Sequence, residues 1–291
     1  MSIPINTLCI ECHLRKKFAL ARSLGTDEQA TEFAREILQF IATAPKEMDS
    51  TWLSSVSDRL LQEKLGLDPN RLKAEKEFSN SFVLERLPEI YQRIEKSPDA
   101  LYSALQFAVL GNYLDFSALV GEVSFDKLSE LLDGAETLDL DKTAYQDFCK
   151  DLEKGKNLLY ITDNAGEIVF DRVLGEKIHE NYPHLNITYC VRGGVVTNDA
   201  TRADAEVAGI SFPVIDSGVP ICGTVLRFVG QALKDAMDNA DVIIAKGMGN
   251  TESLWGEPYN IYYAFLVKCL RFEQVFHKPK FTPMFTKYTG K

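Results

Sequence analysis

The chain has 291 residues, 45% apolar and 25% charged, and its 32 basic against 42 acidic side chains leave a net charge of −10. That composition is globular and excludes disordered and fibrous classes, and a chain this long buries about 75% of its unfolded surface without disulfide or structural metal. The negative balance disfavours nucleic acid and anionic membrane surfaces as partners, and admits a small anionic metabolite only where local cations or a metal receive it.

The opening MSIPINTLCIECHLRKK carries its basic residues after the apolar part and lacks an apolar core of about 7–15 residues, so it does not read as a secretory signal. Six cysteines (Cys9, Cys12, Cys149, Cys190, Cys222, Cys269) without an export signal point to reduced thiols and a cytoplasmic location. Cys9-Ile10-Glu11-Cys12-His13 matches the c-type haem attachment pattern, but attachment needs export, and a zinc site needs two more ligands at paired spacing. A redox pair or simple packing fits better. Downstream, Thr26 and Gln29 form a capping box, and Phe33, Ile37, Phe40 and Ile41 share one helical face until Pro45 stops it. The same periodicity predicts helices over 52–65, 82–94, 99–111 and 143–154, with short helices and loops in the acidic stretch 121–144. Apolar runs such as 261–267 fall far short of the roughly 20 residues that span a bilayer.

The second half changes period. Apolar runs at 157–164, 186–192, 210–216, 241–247 and 265–269 predict strands, separated by helices over 166–180, 199–208 and 223–238. Alternation of this kind predicts βαβ units, hence a Rossmann-like α/β/α core with a mostly parallel sheet over 155–291 and an all-helical subdomain over 1–154. Ligands of such sheets sit at the carboxyl ends of the strands.

The first strand ends in Asp163-Asn164-Ala165-Gly166-Glu167. Its side-chain oxygens suit hard cations such as Mg²⁺ or Mn²⁺, and Gly166 allows a tight turn into a helix N-terminus that can accept an anion. A plain Asp/Asn helix cap reads equally well. The second strand ends in Arg192-Gly193-Gly194, followed by Asp199, and the fourth delivers Lys246-Gly247-Met248-Gly249-Asn250. Glycines permit close approach to a ligand and a lysine can hold a phosphate as a point charge, while a Gly-rich loop and a snorkelling lysine are the plainer alternatives. Asn112 and Asp115, three apart at a helix end, read first as a cap. The argument for one polar anion and metal site rests on the conjunction of three strand ends.

ITDNAGEIVFD, RGGVVTNDATRADA and IAKGMGNTESL in this order, with GNYLD upstream and an N-terminal CxxC, resemble the metal-dependent damage-control phosphatases, the ARMT-like family, in its prokaryotic branch. The resemblance covers nearly the whole chain. It implies hydrolysis of phosphate monoesters of small metabolites, damaged or unwanted sugar phosphates and their relatives, assisted by a divalent metal (Mn, Mg, Co or Ni). Carried over by motif, Asp163, Asn164 and Asp199 would hold the metal. Glu167, Arg192, Lys246, Gly247 and Asn250 would line the phosphate end, with Lys246 and Arg192 stabilising the transferring group, and Asn112 and Asp115 would approach from the helical subdomain. The chain departs from the family pattern at Cys222, where a proline or small residue is expected, and in its C-terminal FHKPKFTPMFTKYTGK.

Three rival readings compete. A dinucleotide enzyme wants G-x-G-x-x-G after the first strand and a ribose-binding carboxylate after the second, and this chain has DNAGE and Arg192 there. An S-adenosylmethionine-dependent carboxyl methyltransferase, a chemistry proposed within the family, meets the second objection too. A non-catalytic protein binding a metal or phosphometabolite is the other alternative, which only turnover excludes.

Overall fold

The computed structural model describes residues 2–115, 129–130 and 132–290. Six helices come first: α1 (Thr7–Leu24), α2 (Asp27–Thr43), α3 (Ser50–Leu65), α4 (Lys73–Leu84), α5 (Leu87–Lys96) and α6 (Ala100–Gly111). The capping box of α2 is present in both halves: Gln29 N–H donates to Thr26 Oγ1 (3.3 Å) and Thr26 N–H to Gln29 Oε1 (2.9 Å). Periodicity did not predict α1, which starts where the Asn6 side chain accepts from the Cys9 N–H at 3.2 Å. The single helix expected over 82–94 is two, because Pro88 cannot donate inside a helix and sits instead in the first turn of α5. Of the acidic stretch, 121–128 and 131 lie outside the described residues, and Ala135–Thr137 is a 3₁₀ turn. The helix α7 (Lys142–Lys154) then starts on Asp141, whose Oδ1 accepts from the Thr143 and Ala144 N–H groups.

Alternating strands and helices follow: β1 (Asn157–Ile161), α8 (Glu167–Asn181), β2 (Asn186–Val191), α9 (Arg202–Ala208), β3 (Val214–Asp216), α10 (Gln231–Asn239), β4 (Val242–Lys246), α11 (Gly247–Leu254), β5 (Ile261–Leu266), α12 (Leu270–Phe276) and β6 (Pro283–Lys287). The sheet order is β3-β2-β1-β4-β5-β6, parallel except for β6, which runs antiparallel to β5. The expected strand at 265–269 lies earlier, at Ile261–Leu266, and β6 was not predicted. The helix expected over 223–238 begins only at Gln231, since Gly218 and Gly223 adopt left-handed φ values of 75° and 74° around Pro220.

Side chains alternate across the sheet. Leu158 and Tyr160 of β1 join one core with Phe107, Phe170 and Phe285, and Leu159 and Ile161 join the opposite core with Leu233, Met237 and Phe272. The first core includes Phe82, Ile90 and Leu105, so α4–α6 and the sheet share one interior across residue 154. A separate small cluster, Ala21, Phe33, Ile37 and Leu61, ties α1, α2 and α3 together. No helix among the described residues is long and apolar enough to cross a membrane.

Strand order reverses between β1 and β4. One branch grows from β1 to β2 and β3, the other from β4 to β5, and the crevice between their carboxyl ends is where open α/β sheets bind ligands.

One buried acid beyond that crevice has a measurable consequence. Glu252 of α11 is buried against α3, where it accepts from Ser50 Oγ, and burial pushes its carboxyl from 4.5 up to about 7. The fold therefore holds a proton that the unfolded chain releases nearer 4.5, so this contribution is full below the unfolded value and is lost as pH rises through about 7. Glu252→Gln removes the slope. Urea melts from about pH 5 to pH 8 should show the wild type losing stability relative to the variant, on the order of 3 kcal/mol.

Candidate active site

Asp163 and Asn164 lie just past β1, where the chain turns at Gly166 with φ 77° before entering α8. A side chain at Gly166 has no room: an added Cβ would lie 2.8 Å from Ser79 Cβ and 2.9 Å from Leu114 Cδ1. Asp163 Oδ2 accepts from Asn164 Nδ2 (2.7 Å) and Asn112 Nδ2 (3.1 Å), and its Oδ1 accepts from Arg192 Nη2 (3.4 Å). Gly247, with φ 76°, makes space for this carboxylate, since a Cβ there would sit 1.9 Å from Asp163 Oδ2. Burial pushes the Asp163 carboxyl well above the ordinary range, and the Glu167 and Asp199 charges add to it against the opposing pull of Arg192.

Arg192, the first residue past β2, joins two carboxylates. Its Nε donates to Asp199 Oδ2 at 2.6 Å, while Nη1 holds Gly223 O (3.0 Å) and Asn250 Oδ1 (3.1 Å). Asp199 is brought there because residues 197–200 fold back along the end of β1: Ala200 N–H donates to Asp163 O (2.7 Å) and Arg192 N–H to Ala200 O (2.9 Å). Thr197 sits in the left-handed region at φ 44°, at a cost of about 1–3 kcal/mol for a branched residue, and its Oγ1 donates to Asp199 Oδ1 at 2.9 Å. Asn198 Nδ2 donates to Asn164 Oδ1 (2.9 Å) and Leu114 O (3.2 Å), while its own buried Oδ1 has no partner among the described residues.

Nine of the ten residues singled out by sequence converge in one network, in two layers, and the tenth, Gly247, makes room for it. Lys246, Glu167, Asn250 and Asn112 are fully buried, at 0% exposure. Lys246 Nζ donates to Ala108 O (2.8 Å), Glu167 Oε1 (2.7 Å) and Asp171 Oδ1 (2.6 Å), which engages all three of its protons. Burial opposes that charge, yet the Asp171 and Glu167 carboxylates hold the ammonium above its ordinary range. Burial likewise lifts the Asp171 carboxyl to about 7 against the pull of Lys246. The lysine expected on the phosphate is therefore a strut beneath the site. Asn250 is likewise engaged, donating to Thr162 O and Lys246 O and accepting from Arg192 and Thr224, and Asn112 holds Asp163, Glu167 and the Leu266 N–H. Glu167 accepts from Lys246, Asn112 and Asn164, so it too braces the layer above.

Asp163, Asn164, Asp199, Arg192 and Asp115 form the upper layer. Sequence reasoning missed one member, Lys268, two residues past β5. Its Nζ donates to Asp115 Oδ2 at 2.8 Å, and the Asp115 charge is felt by both Asp163 and Asp199. The available signal was a lysine leaving a buried apolar run, the same cue that singled out Lys246, but the strand predicted at 265–269 swallowed it.

Among the described residues no group of three His, Cys, Asp or Glu side chains forms a ready-made metal cage. The donors at the end of β1 are two carboxylates and an amide oxygen, an all-oxygen set of the kind hard divalent cations take, completed by ligand or water oxygens. The mutual repulsion of Asp163, Glu167 and Asp199 fits a cation there.

Residues 5–279 match the damage-control phosphatase ARMT1-like domain. An uncharacterised protein of Methanocaldococcus jannaschii is 32% identical over 280 residues, covering 92% of this chain and 90% of its own. A damage-control phosphatase of Archaeoglobus fulgidus is 28% identical over 262 residues, covering 87% and 88%. The crystal structure of a DUF89 family protein from Pyrococcus horikoshii superposes with a TM-score of 0.81 at 25% identity, covering 98% of this chain and 99% of that one.

Proposed function

This chain belongs to the damage-control phosphatase ARMT1-like family, and from that premise we propose that it hydrolyses phosphate monoesters of small metabolites, sugar phosphates among them, with a divalent metal. The carrying observation is the pair of buried carboxylates, Asp163 and Asp199, brought together with the Asn164 amide oxygen at the strand-order reversal. The Archaeoglobus fulgidus relative, which bears the name damage-control phosphatase, supports a phosphatase acting on damaged metabolites.

Asp163, Asn164 and Asp199 would hold Mg²⁺, Mn²⁺, Co²⁺ or Ni²⁺. Such an ion, when bound, offsets negative charge on the transferring phosphoryl group. The protein's own part is preorganisation. Arg192 fixes Asp163 relative to Asp199, and the Lys246–Glu167–Asp171 layer fixes the floor on which Asn112 and Asn164 orient the Asp163 carboxylate. Lys268 supplies the cation for the phosphoryl oxygens: among the described residues its ammonium donates to Asp115, which leaves donors for a ligand. The first turn of α11, at Gly247 and Met248, would add the N–H groups of a helix N-terminus. A methyltransferase would need a ribose-binding carboxylate where Arg192 stands.

Phosphate release from a panel of sugar phosphates and p-nitrophenyl phosphate tests this reading on chelator-stripped protein, with each of the four metals added back. Metal-restored turnover is expected. Folded protein that binds metal yet releases no phosphate from any ester would instead favour a binding role.

A further inference from the structure

Two side-chain amides meet at the end of β1. Asn164, one of the three proposed metal ligands, is oriented by its neighbours: its Nδ2 donates to Asp163 Oδ2 (2.7 Å) and Glu167 Oε2 (2.8 Å), so Oδ1 is the end left for a ligand role. That oxygen accepts from Asn198 Nδ2 at 2.9 Å, its one hydrogen bond among the described residues. The second Nδ2 proton of Asn198 goes to Leu114 O at 3.2 Å. Behind Glu167 stands the Lys246 ammonium at 2.7 Å, so one polarised chain runs from Lys246 through Glu167 and Asn164 to Asn198.

Burial of Asn198 carries a cost. The residue is 1% exposed, and its Oδ1 has no partner among the described residues. Turning the amide over would set that oxygen against Asn164 Oδ1 and Leu114 O, two acceptors, so the network itself leaves it unanswered. A side chain kept only to fill space would carry no such penalty. Nor does this one hold up the chain around it. The backbone of 197–200 is fixed by other groups: Ala165 N–H donates to Asn198 O (2.9 Å), Ala200 N–H to Asp163 O (2.7 Å) and Asp199 N–H to Val196 O (3.1 Å). What remains for the amide is its donor on the Asn164 oxygen.

We infer that Asn198 is a positioning residue for the metal centre: its Nδ2 takes one lone pair of Asn164 Oδ1 and fixes that amide, leaving the second lone pair for the cation. This deepens the metal-phosphatase reading and rests on it. Without Asn198, Asn164 keeps its two carboxylate contacts but loses the contact that holds its oxygen end. Groups that orient a metal ligand in this way typically carry roughly 10–100-fold in metal affinity.

The test is a double-mutant cycle read as the Kd for Mn²⁺, followed by the paramagnetic resonance signal of the free ion on the chelator-stripped full chain. Asn198→Ala, Asn164→Ala and the double variant are compared with wild type, with metal-free thermal unfolding as the fold check. Asn198→Ser, too short to reach the Asn164 oxygen, replaces the alanine variant should that one not fold. In the wild-type background Asn198→Ala should raise the Kd about tenfold or more; in the Asn164→Ala background it should change it by less than about threefold, because the residue it acts through is gone. A general loosening of the fold, or a displaced Asp199, would instead multiply the two losses. A folded Asn198→Ala protein with a Kd within about threefold of wild type, or an equal loss in both backgrounds, overturns the assignment and leaves the metal centre standing. A wild-type protein that takes up no Mn²⁺ overturns the metal reading and this inference with it.

Discussion

Lys246→Met should lower the stability of the fold by about 3–5 kcal/mol, a large share of the roughly 5–15 kcal/mol that holds a domain together. The lysine ammonium lies between Glu167 and Asp171 with no exposure on any of the three side chains. Removing it strands two carboxylates in the interior. Asp171 is already incompletely satisfied, since its Oδ1 accepts from Lys246 and from Tyr160 OH at 2.8 Å while Oδ2 has no partner among the described residues. Urea denaturation of the variant should show the midpoint falling with the slope unchanged. A variant as stable as wild type but inactive would mean that Lys246 does meet the phosphate.

Lys268→Met should do the opposite: keep the fold and lose about 10²–10³ in kcat/KM, the usual consequence of removing one charged donor aimed at developing negative charge. Lys268 is itself buried, but its carboxylate partner among the described residues, Asp115, retains 12% side-chain exposure and can be solvated when the lysine is gone. Steady-state kinetics on the metal-loaded protein, set beside its melting midpoint, separates the two lysines. An active Lys268→Met enzyme would place the phosphate elsewhere. The two lysines leave neighbouring parallel strands, yet one is braced between Glu167 and Asp171 and the other is held by Asp115.

This difference shows what the sequence could and could not carry. Short apolar runs and period-3.6 patterning located β1, β2, β4 and their helices, and the residues just past β1 and β2 were readable because strand ends in parallel sheets face the ligand crevice. The direction of a side chain is a tertiary fact. Lys246 pairs with residues 75 and 79 positions away, and no local pattern announces them. A clue did exist on the partner side: Glu167 and Asp171 stand one turn apart on the otherwise apolar start of α8, a repulsive spacing that needs a cation between them. The helix α1 escaped detection because its inward face carries His13 and Lys17 where apolar residues would complete the period. Lys268 was hidden by a strand boundary misplaced by three to four residues inside a continuous apolar run.

The central claim is that Asp163, Asn164 and Asp199 form a divalent-metal centre for phosphate ester hydrolysis. Mn²⁺ binding and Mn²⁺-restored phosphate release, measured together on chelator-stripped wild type and Asp163→Ala, test it most directly. The expected result is a folded variant, judged by its circular dichroism, that binds Mn²⁺ at least about tenfold more weakly and loses at least about 10³ of the turnover. A folded Asp163→Ala protein that retains full metal-dependent hydrolysis would contradict it.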